Sequence, residues 1–361
     1  MSFATRPDSF ASLDPSFTSQ YHVLAEIGIG GSGCVYKVQR WTDGATFAAK
    51  IVAKDRIGAR GLVKTINWDV ETKCLHRTKD GAFVVPTEAY VLRRLNHPGV
   101  VGFVDLFACP RFYYLIMEHH GASWQDAAED NGILPPSPPV TPPSRQLDFP
   151  DVVSPSTSST PPTIEGPSTV ASALAAPPVR APFMRRSSSD LFEAIEQFRH
   201  FNEPAARYVF HQLVATVCDL ASVGIRHNDI KDENIVLDER LRVKLVDFGS
   251  CVLYDVREPT PLQTGKFYGT STFAAPEVFS NAPYDGQAAE IWALGVVLSL
   301  LLTGQHPFSS SEDALAGRIA ARKTRISPLA DDCLRRCLTV DTIERITLDE
   351  LLHHPWITQR Y

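Results

Sequence analysis

The sequence predicts an α+β chain of two lobes, a small antiparallel β-sheet unit carrying one helix followed by a mostly α-helical unit. Three observations carry this. From "YHVLAEIGIG" at 21 to "YYLIMEHH" ending at 120, the apolar runs are short, rich in β-formers and broken by turns. From about 191 onward the apolar spacing is helical instead. Between the two, residues 131 to 190 hold 14 of the 27 prolines among many Ser and Thr, a composition that cannot offset its ordering entropy.

In chain order, residues 1–20 show no sustained period and read as a loosely held, disordered tail. The β unit spans 21–118, and within it only "EAYVLRRL" (88 to 95) has helical spacing, through Val91, Leu92 and Leu95. The α unit spans 119–361 with a disordered insert at 129–189. Its helices are read in "DLFEAIEQF", in "PAARYVFHQLVATVCDLASVG" between Pro204 and Gly224, and in "IWALGVVLSLLLTG". There is no internal repeat.

Composition excludes several function classes. A net charge of -6 without any Lys/Arg block argues against nucleic acid or an anionic membrane as partner. The seven cysteines are scattered and odd in number, so neither a disulfide framework nor a zinc site is expected, and Cys333 and Cys337 read as one helix face. The first twenty residues hold no signal-type apolar stretch, and "IWALGVVLSLLL" (291 to 302) is short for a bilayer span. A reducing intracellular compartment is expected, the cytoplasm first and the nucleus second.

"IGIGGSGCV" (27 to 35) follows a strand-like run, with Gly28, Gly30 and Gly33 able to bring backbone close to phosphates where a Cβ would collide. A dinucleotide-binding turn shares that spacing. The next element separates the two, because that fold requires a helix directly after the glycines, whereas "CVYKVQR" and "TFAAKIV" continue as strands around "WTDGA". A hairpin covering a nucleotide follows. Lys50 lies on the second of these strands, and Glu88, heading the one helix of the lobe, can hold its ammonium against α- and β-phosphates.

The stretch "GIRHNDIKDENIVLDE" (224 to 239) then supplies Asp229 to accept a hydroxyl proton, Lys231 to meet the transferred phosphate and Asn234 to ligate a metal. "VDFGS" brings Asp247 thirteen residues after Asn234 as the second ligand of a phosphate-bridging Mg²⁺, and "AAPE" (274 to 277) closes the segment. Four such motifs in this order point to phosphoryl transfer.

From about Tyr21 to the C-terminus the chain resembles a eukaryotic protein kinase catalytic domain. Lys231 in "DIKDEN" and the Gly269-Thr270 pair are similar to the serine/threonine branch, and "DLFEAIEQF", "DFGS", "FYGTSTFAAPEVF" and "HPWITQ" to PAS kinases and their fungal relatives. The resemblance implies a two-lobed kinase fold with ATP and Mg²⁺ as cofactors. It implies an ATP site of Ile27, Gly28, Gly30, Gly33, Val35, Ala48, Lys50, Met117 as gatekeeper, and Glu118 and His120 through their backbones. It implies catalytic roles for Asp229, Lys231, Lys50, Glu88 and Thr270, metal ligands Asn234 and Asp247, a regulatory spine through Leu92, His227 and Phe248, and a Glu277–Arg345 pair. Asp190, supported by Glu233, would recognise Arg three residues before the target hydroxyl. Protein substrates are the implied partners.

Two departures stand out. Glu290 replaces the Asp usual in "EIWALGV", as in PAS-kinase-like sequences, and Asn228 replaces the Arg of H-R-D. That Arg meets a phosphothreonine four residues before Thr270, where this chain has Lys266. Receptor and acceptor are lost together while the metal and phosphate ligands all remain, so altered control is expected rather than a dead site. The alternative is a nucleotide-binding pseudokinase scaffold; a small-molecule kinase is a third reading. In the insert, four Ser/Thr-Pro pairs (Ser137, Thr141, Ser154, Thr160) and P-x-x-P spacing suit proline-directed kinases or SH3-type partners, or a passive linker. "RRSSSD" places Arg185 three before Ser188 and Arg186 three before Ser189, which reads either as an autophosphorylation sequence or as Ser N-caps of the next helix.

Overall fold

A computed structural model describes residues 13–30, 33–58, 61–66, 68, 75, 78–122, 124, 189–257, 263, 264, 267, 269–280 and 282–359. The chain enters through a one-turn helix α1 (Pro15–Thr18) and passes into strands β1 (Tyr21–Gly30), β2 (Gly33–Arg40) and β3 (Thr46–Ala53). A short hairpin of β4 (Leu62–Thr65) and β5 (Phe83–Pro86) precedes helix α2 (Thr87–Arg94), and β6 (Phe103–Ala108) and β7 (Phe112–Glu118) complete an antiparallel sheet of order β1-β2-β3-β7-β6. The glycine stretch is therefore a hairpin, with Gly28 opposite Val35 and Gly30 opposite Gly33, and no helix follows it. Gly33 is required by the sheet itself, since a Cβ there would collide with the Ile51 carbonyl oxygen on β3.

The expectation of a loose tail over 1–20 is corrected for residues 13–20. Asp14 caps α1 by accepting from Ser16 N at 2.9 Å, Pro15 sits in the first turn, and the Asp14 N–H donates to the Tyr114 hydroxyl at 3.2 Å. Phe17 is fully buried, with its ring 5.0 Å from Tyr114 and 5.8 Å from Tyr21. The cause is the outer face of the sheet, where Tyr36, Val38, Ile51, Phe107 and Ile116 form an apolar surface separate from the main core. One turn of helix shows too little periodicity to be read from sequence. The β4–β5 hairpin also goes beyond a simple sheet with one helix. Tyr113 donates its hydroxyl to Val84 O at 3.1 Å, and Trp68, buried beyond β4, lies under the Arg93 guanidinium of α2.

The second lobe is helical, built from α3 (Leu191–Phe198), α4 (Glu203–Ser222), α5 (Gly286–Thr303), α6 (Ser311–Leu315), α7 (Pro328–Cys337), α8 (Leu348–Leu352) and α9 (Pro355–Thr358). Helix α4 begins where Asn202 Oδ1 accepts from Ala205 N at 2.9 Å, and Gly224 at φ 75° turns the chain beyond its end. Helix α5 is longer than the 291–302 run, and by length and composition it could cross a membrane. It is a core helix here, with 89% of its apolar window buried inside the protein. Cys333 and Cys337 are buried along one face of α7, as read.

Short strands between α4 and α5 carry the site: β8 (Ile225–Arg226), β9 (Ile235–Leu237), β10 (Val243–Leu245) and β11 (Val252–Leu253), followed by β12 (Gln263–Thr264) and β13 (Tyr284–Asp285). The β9–β10 hairpin and the β8–β11 pair bracket the 227–234 and 247–250 loops. The lobes meet there, with Val101 N donating to Leu245 O at 3.2 Å and Leu245 N to Gly99 O at 2.8 Å. Of the insert assigned to 129–189, only Ser189 lies within the described residues. It is fixed, because Leu237 N donates to Ser189 O at 3.1 Å.

Candidate active site

The β2–β3–β7 register sets the first half of the site. Lys50 on β3 stands opposite Val35 on β2 and Leu115 on β7, and Ala48 opposite Met117. Ile27 falls in an irregularity of β1, between Glu26 and Gly28. At the end of β7, Glu118 Oε2 accepts from Gly102 N at 3.0 Å and Lys244 Nζ at 2.9 Å, and just beyond it the His120 ring bonds Arg242 O at 3.0 Å. Burial alone would raise the Glu118 carboxyl, but the Lys244 ammonium holds it below the usual range.

Lys50 joins the lobes. The residue is 3% exposed, and its ammonium lies 2.7 Å from Glu88 Oε2 in the first turn of α2 and 2.8 Å from Asp247 Oδ1. Burial opposes the charge on Lys50, yet two carboxylates outweigh it and the ammonium is raised above its ordinary range. Asp247 is likewise disfavoured by burial but, beside Lys50, is lowered to about 2. Both therefore stand ionised. Asp247 has φ 61°, and its side chain accepts from Gly249 N at 3.2 Å, which fixes the turn. Phe248 is buried edge-on to His227 at 4.7 Å, and Leu92 is buried on α2.

The catalytic-loop residues are held by one another and by the segment after Asp247. Asp229 Oδ1 accepts from Thr270 N at 2.8 Å and from Thr270 Oγ1 at 2.9 Å. Asn234 Nδ2 donates to the Asp229 carbonyl at 2.8 Å and to Asp229 Oδ2 at 3.1 Å. Lys231 Nζ lies 3.8 Å from Asp229 Oδ2 and 2.9 Å from Glu233 Oε2. His227 accepts from Asp229 N through Nδ1 at 3.4 Å and donates from Nε2 to Val246 O at 3.0 Å, and burial keeps its pKa below normal. Glu277 and Arg345 form a two-pronged pair at 2.6 and 2.9 Å.

The structure brings Lys50, Glu88 and Asp247 together, and Asp229 with Asn234 and Thr270. Asp190 is placed differently from a free Arg receptor. It is 6% exposed and caps α3, accepting from Glu193 N at 2.9 Å, so the N-cap is Asp190 rather than a Ser. Glu233, with its side chain 44% exposed, faces outward. Asp232 between them was missed, and burial raises its carboxyl to about 6, helped by the charges of Glu233 and Asp190. Also missed was the meeting of the two departures, for Asn228 N donates to Glu290 Oε1 at 2.7 Å. Positions 62 apart give no signal of contact in one sequence. Lys266 and residues 125–188 lie outside the described residues.

A family model described as protein kinase domain matches residues 21–138 and 182–357. The chain is 25% identical over 359 residues to the PAS domain-containing serine/threonine-protein kinase of Mus musculus, covering 98% of this chain and 19% of that protein. It is 37% identical over 171 residues to serine/threonine-protein kinase PSK2 of Saccharomyces cerevisiae (47% and 15%), and 25% identical over 349 residues to serine/threonine-protein kinase prk-2 of Caenorhabditis elegans (95% and 59%). The chain therefore spans less than two thirds of each of these relatives.

Proposed function

The chain belongs to the protein kinase family, on its serine/threonine branch, and from that premise we propose that it transfers the γ-phosphoryl group of ATP, with Mg²⁺, to Ser and Thr hydroxyls of proteins. The observation that carries this is Lys50 held between Glu88 and Asp247, a charge placed where phosphate oxygens would lie. A decayed site would have no reason to keep a buried lysine clasped between the buried Glu88 and the half-buried Asp247.

The residues fit a hard divalent cation. Asp247 is ionised, and Asn234, whose Nδ2 is committed to Asp229, can offer its side-chain oxygen. When bound, that ion supplies charge neutralisation at the phosphates. Asp229 then orients the hydroxyl and takes its proton, with Thr270 and Asn234 fixing the carboxylate. Lys231 lies within reach of the group in transit. Ile27, Gly28, Gly30, Gly33, Val35, Ala48 and Met117, with the backbone of Glu118 and His120, would enclose the nucleotide.

Activity does not wait on a phosphate in the activation segment. Thr270 on Asp229 and Glu277 on Arg345 anchor that segment without one, and the Trp68–Arg93 contact braces α2. Arg at minus three is preferred through Glu233, whose carboxylate is the accessible one. Incubation with Mg-ATP and an Arg-x-x-Ser peptide tests the proposal. Transfer by the parent and none by Asp229→Asn is expected; equal rates, or no transfer by the parent, would overturn it.

A further inference from the structure

Asn228 is not the whole of the change in this loop. Two residues upstream, at the end of β8, lies Arg226, buried to 3% exposure. Arginine is seldom so buried unless it is paired or packed into a junction. Its guanidinium touches two elements. It lies against the start of α5, so closely that a Cβ on Gly286 would fall 2.2 Å from Arg226 Cζ, and that Cζ stands 5.8 Å from the centre of the Tyr254 ring, inside the range of a cation–π contact. Burial opposes the Glu290 carboxylate further along α5, whereas the Asn228 N–H and the charge of Arg226 both favour it. Tyr254 belongs to the activation segment just beyond β11, and that stretch is joined to the approach to the catalytic loop. Val252 stands opposite Arg226 in the β8–β11 pair, Tyr254 N donates to Gly224 O at 2.9 Å, and the Tyr254 hydroxyl donates to Ala221 O at 3.0 Å. A two-residue ladder is marginal by itself. The Arg226 side chain reinforces it by joining Tyr254 to α5.

We propose that Arg226 is the cation that ties the activation segment to the catalytic loop and to α5, a buried positioning residue that braces the segment from inside without phosphate. A neutral residue at 228 fits this arrangement, because an arginine there would set a second charge two residues from a guanidinium already buried. Arg226 acts through the elements that carry Asp229 and Thr270, whose contact it holds in register. Its effect on rate rests on the kinase reading; the bracing itself does not.

Variants of the whole chain test it, read by transfer rate and by amide hydrogen exchange. Arg226→Met keeps an unbranched side chain and removes the charge, whereas Arg226→Lys keeps the charge. Gly286→Ala leaves Arg226 in place but sets a methyl where its guanidinium lies, a substitution that helix propensity alone would favour. Arg226→Met and Gly286→Ala are each expected to lower kcat about three- to tenfold and to speed exchange over residues 252–254 at least about tenfold. The KM for ATP should not move, because the Lys50–Asp247 contact is untouched. Arg226→Lys should stay within about threefold of the parent in both readouts. In the double variant Gly286→Ala should add nothing to Arg226→Met, since no guanidinium is left to displace. Additive losses there, or a Lys variant no better than Met, would overturn the proposal. So would unchanged exchange over 252–254 in Gly286→Ala, which decides the matter even if Arg226→Met did not fold. Faster exchange with the expected non-additivity, in a parent that transfers no phosphate, would support the bracing and count against the kinase reading alone.

Discussion

Glu290→Gln should change how stability depends on pH, and the structure sets the size of the change. Burial raises the Glu290 carboxyl from 4.5 to about 7, against the opposing N–H groups of Asn228 and His227 and the charge of Arg226. The folded protein thus keeps a proton that the unfolded chain releases between those values, and stability falls as pH rises through that window. The full difference of about 2.5 pH units corresponds to about 3 kcal/mol, of which about 2 kcal/mol is lost between pH 5.5 and pH 8. Gln has the same shape and can accept the Asn228 N–H without titrating. Any constant effect of the substitution cancels when each protein is compared with itself at two pH values. Urea unfolding at pH 5.5 and pH 8 should therefore show the variant gaining about 2 kcal/mol on the parent with rising pH. Parallel pH dependence in the two proteins would refute the reasoning, and a gain in the other direction would reverse its sign.

Phe17→Ala, which empties a fully buried aromatic stack on the outer face of the sheet, should cost about 3 kcal/mol in unfolding free energy, and an unchanged midpoint would show that the entry segment does not pack. Glu277→Gln leaves the Arg345 guanidinium buried without its counter-charge; about 2–3 kcal/mol is expected by urea unfolding, less than for an isolated buried pair because Ala288 O and Thr339 O still accept from it. Glu233→Gln should raise the KM for an Arg-x-x-Ser peptide at least about threefold and leave an Ala-x-x-Ser peptide unaffected, and equal changes for both would remove Glu233 as the receptor.

Much of the site was legible because its motifs are local. The hairpin character of 27–35 follows from strands on both sides of the glycines, and Asp229, Lys231 and Asn234 lie within six residues of one another. The helix expected over 88–95 runs over Thr87–Arg94. What escaped is set by distance along the chain or by shortness. Helix α1 is one turn, and its stability comes from an aromatic face assembled from β1, β6 and β7. The β4–β5 hairpin pairs strands about twenty residues apart with no tight-turn signal between them. Asp190 was assigned by analogy, while its capping of α3 is a local physical role that Asp fills at helix starts generally. Asn228 and Glu290 each read as a substitution, and only the fold makes them a pair.

The central claim is a live serine/threonine kinase whose site is assembled without phosphate on the segment from Asp247 to Glu277. The direct measurement is the initial rate of transfer from Mg-ATP to an Arg-x-x-Ser peptide, by protein that phosphatase treatment and mass spectrometry show to be unphosphorylated over that segment. A rate within about twofold of the untreated protein is predicted, with none for Asp229→Asn. A fall of about tenfold or more on dephosphorylation, recovered when phosphate returns to the segment, would contradict it.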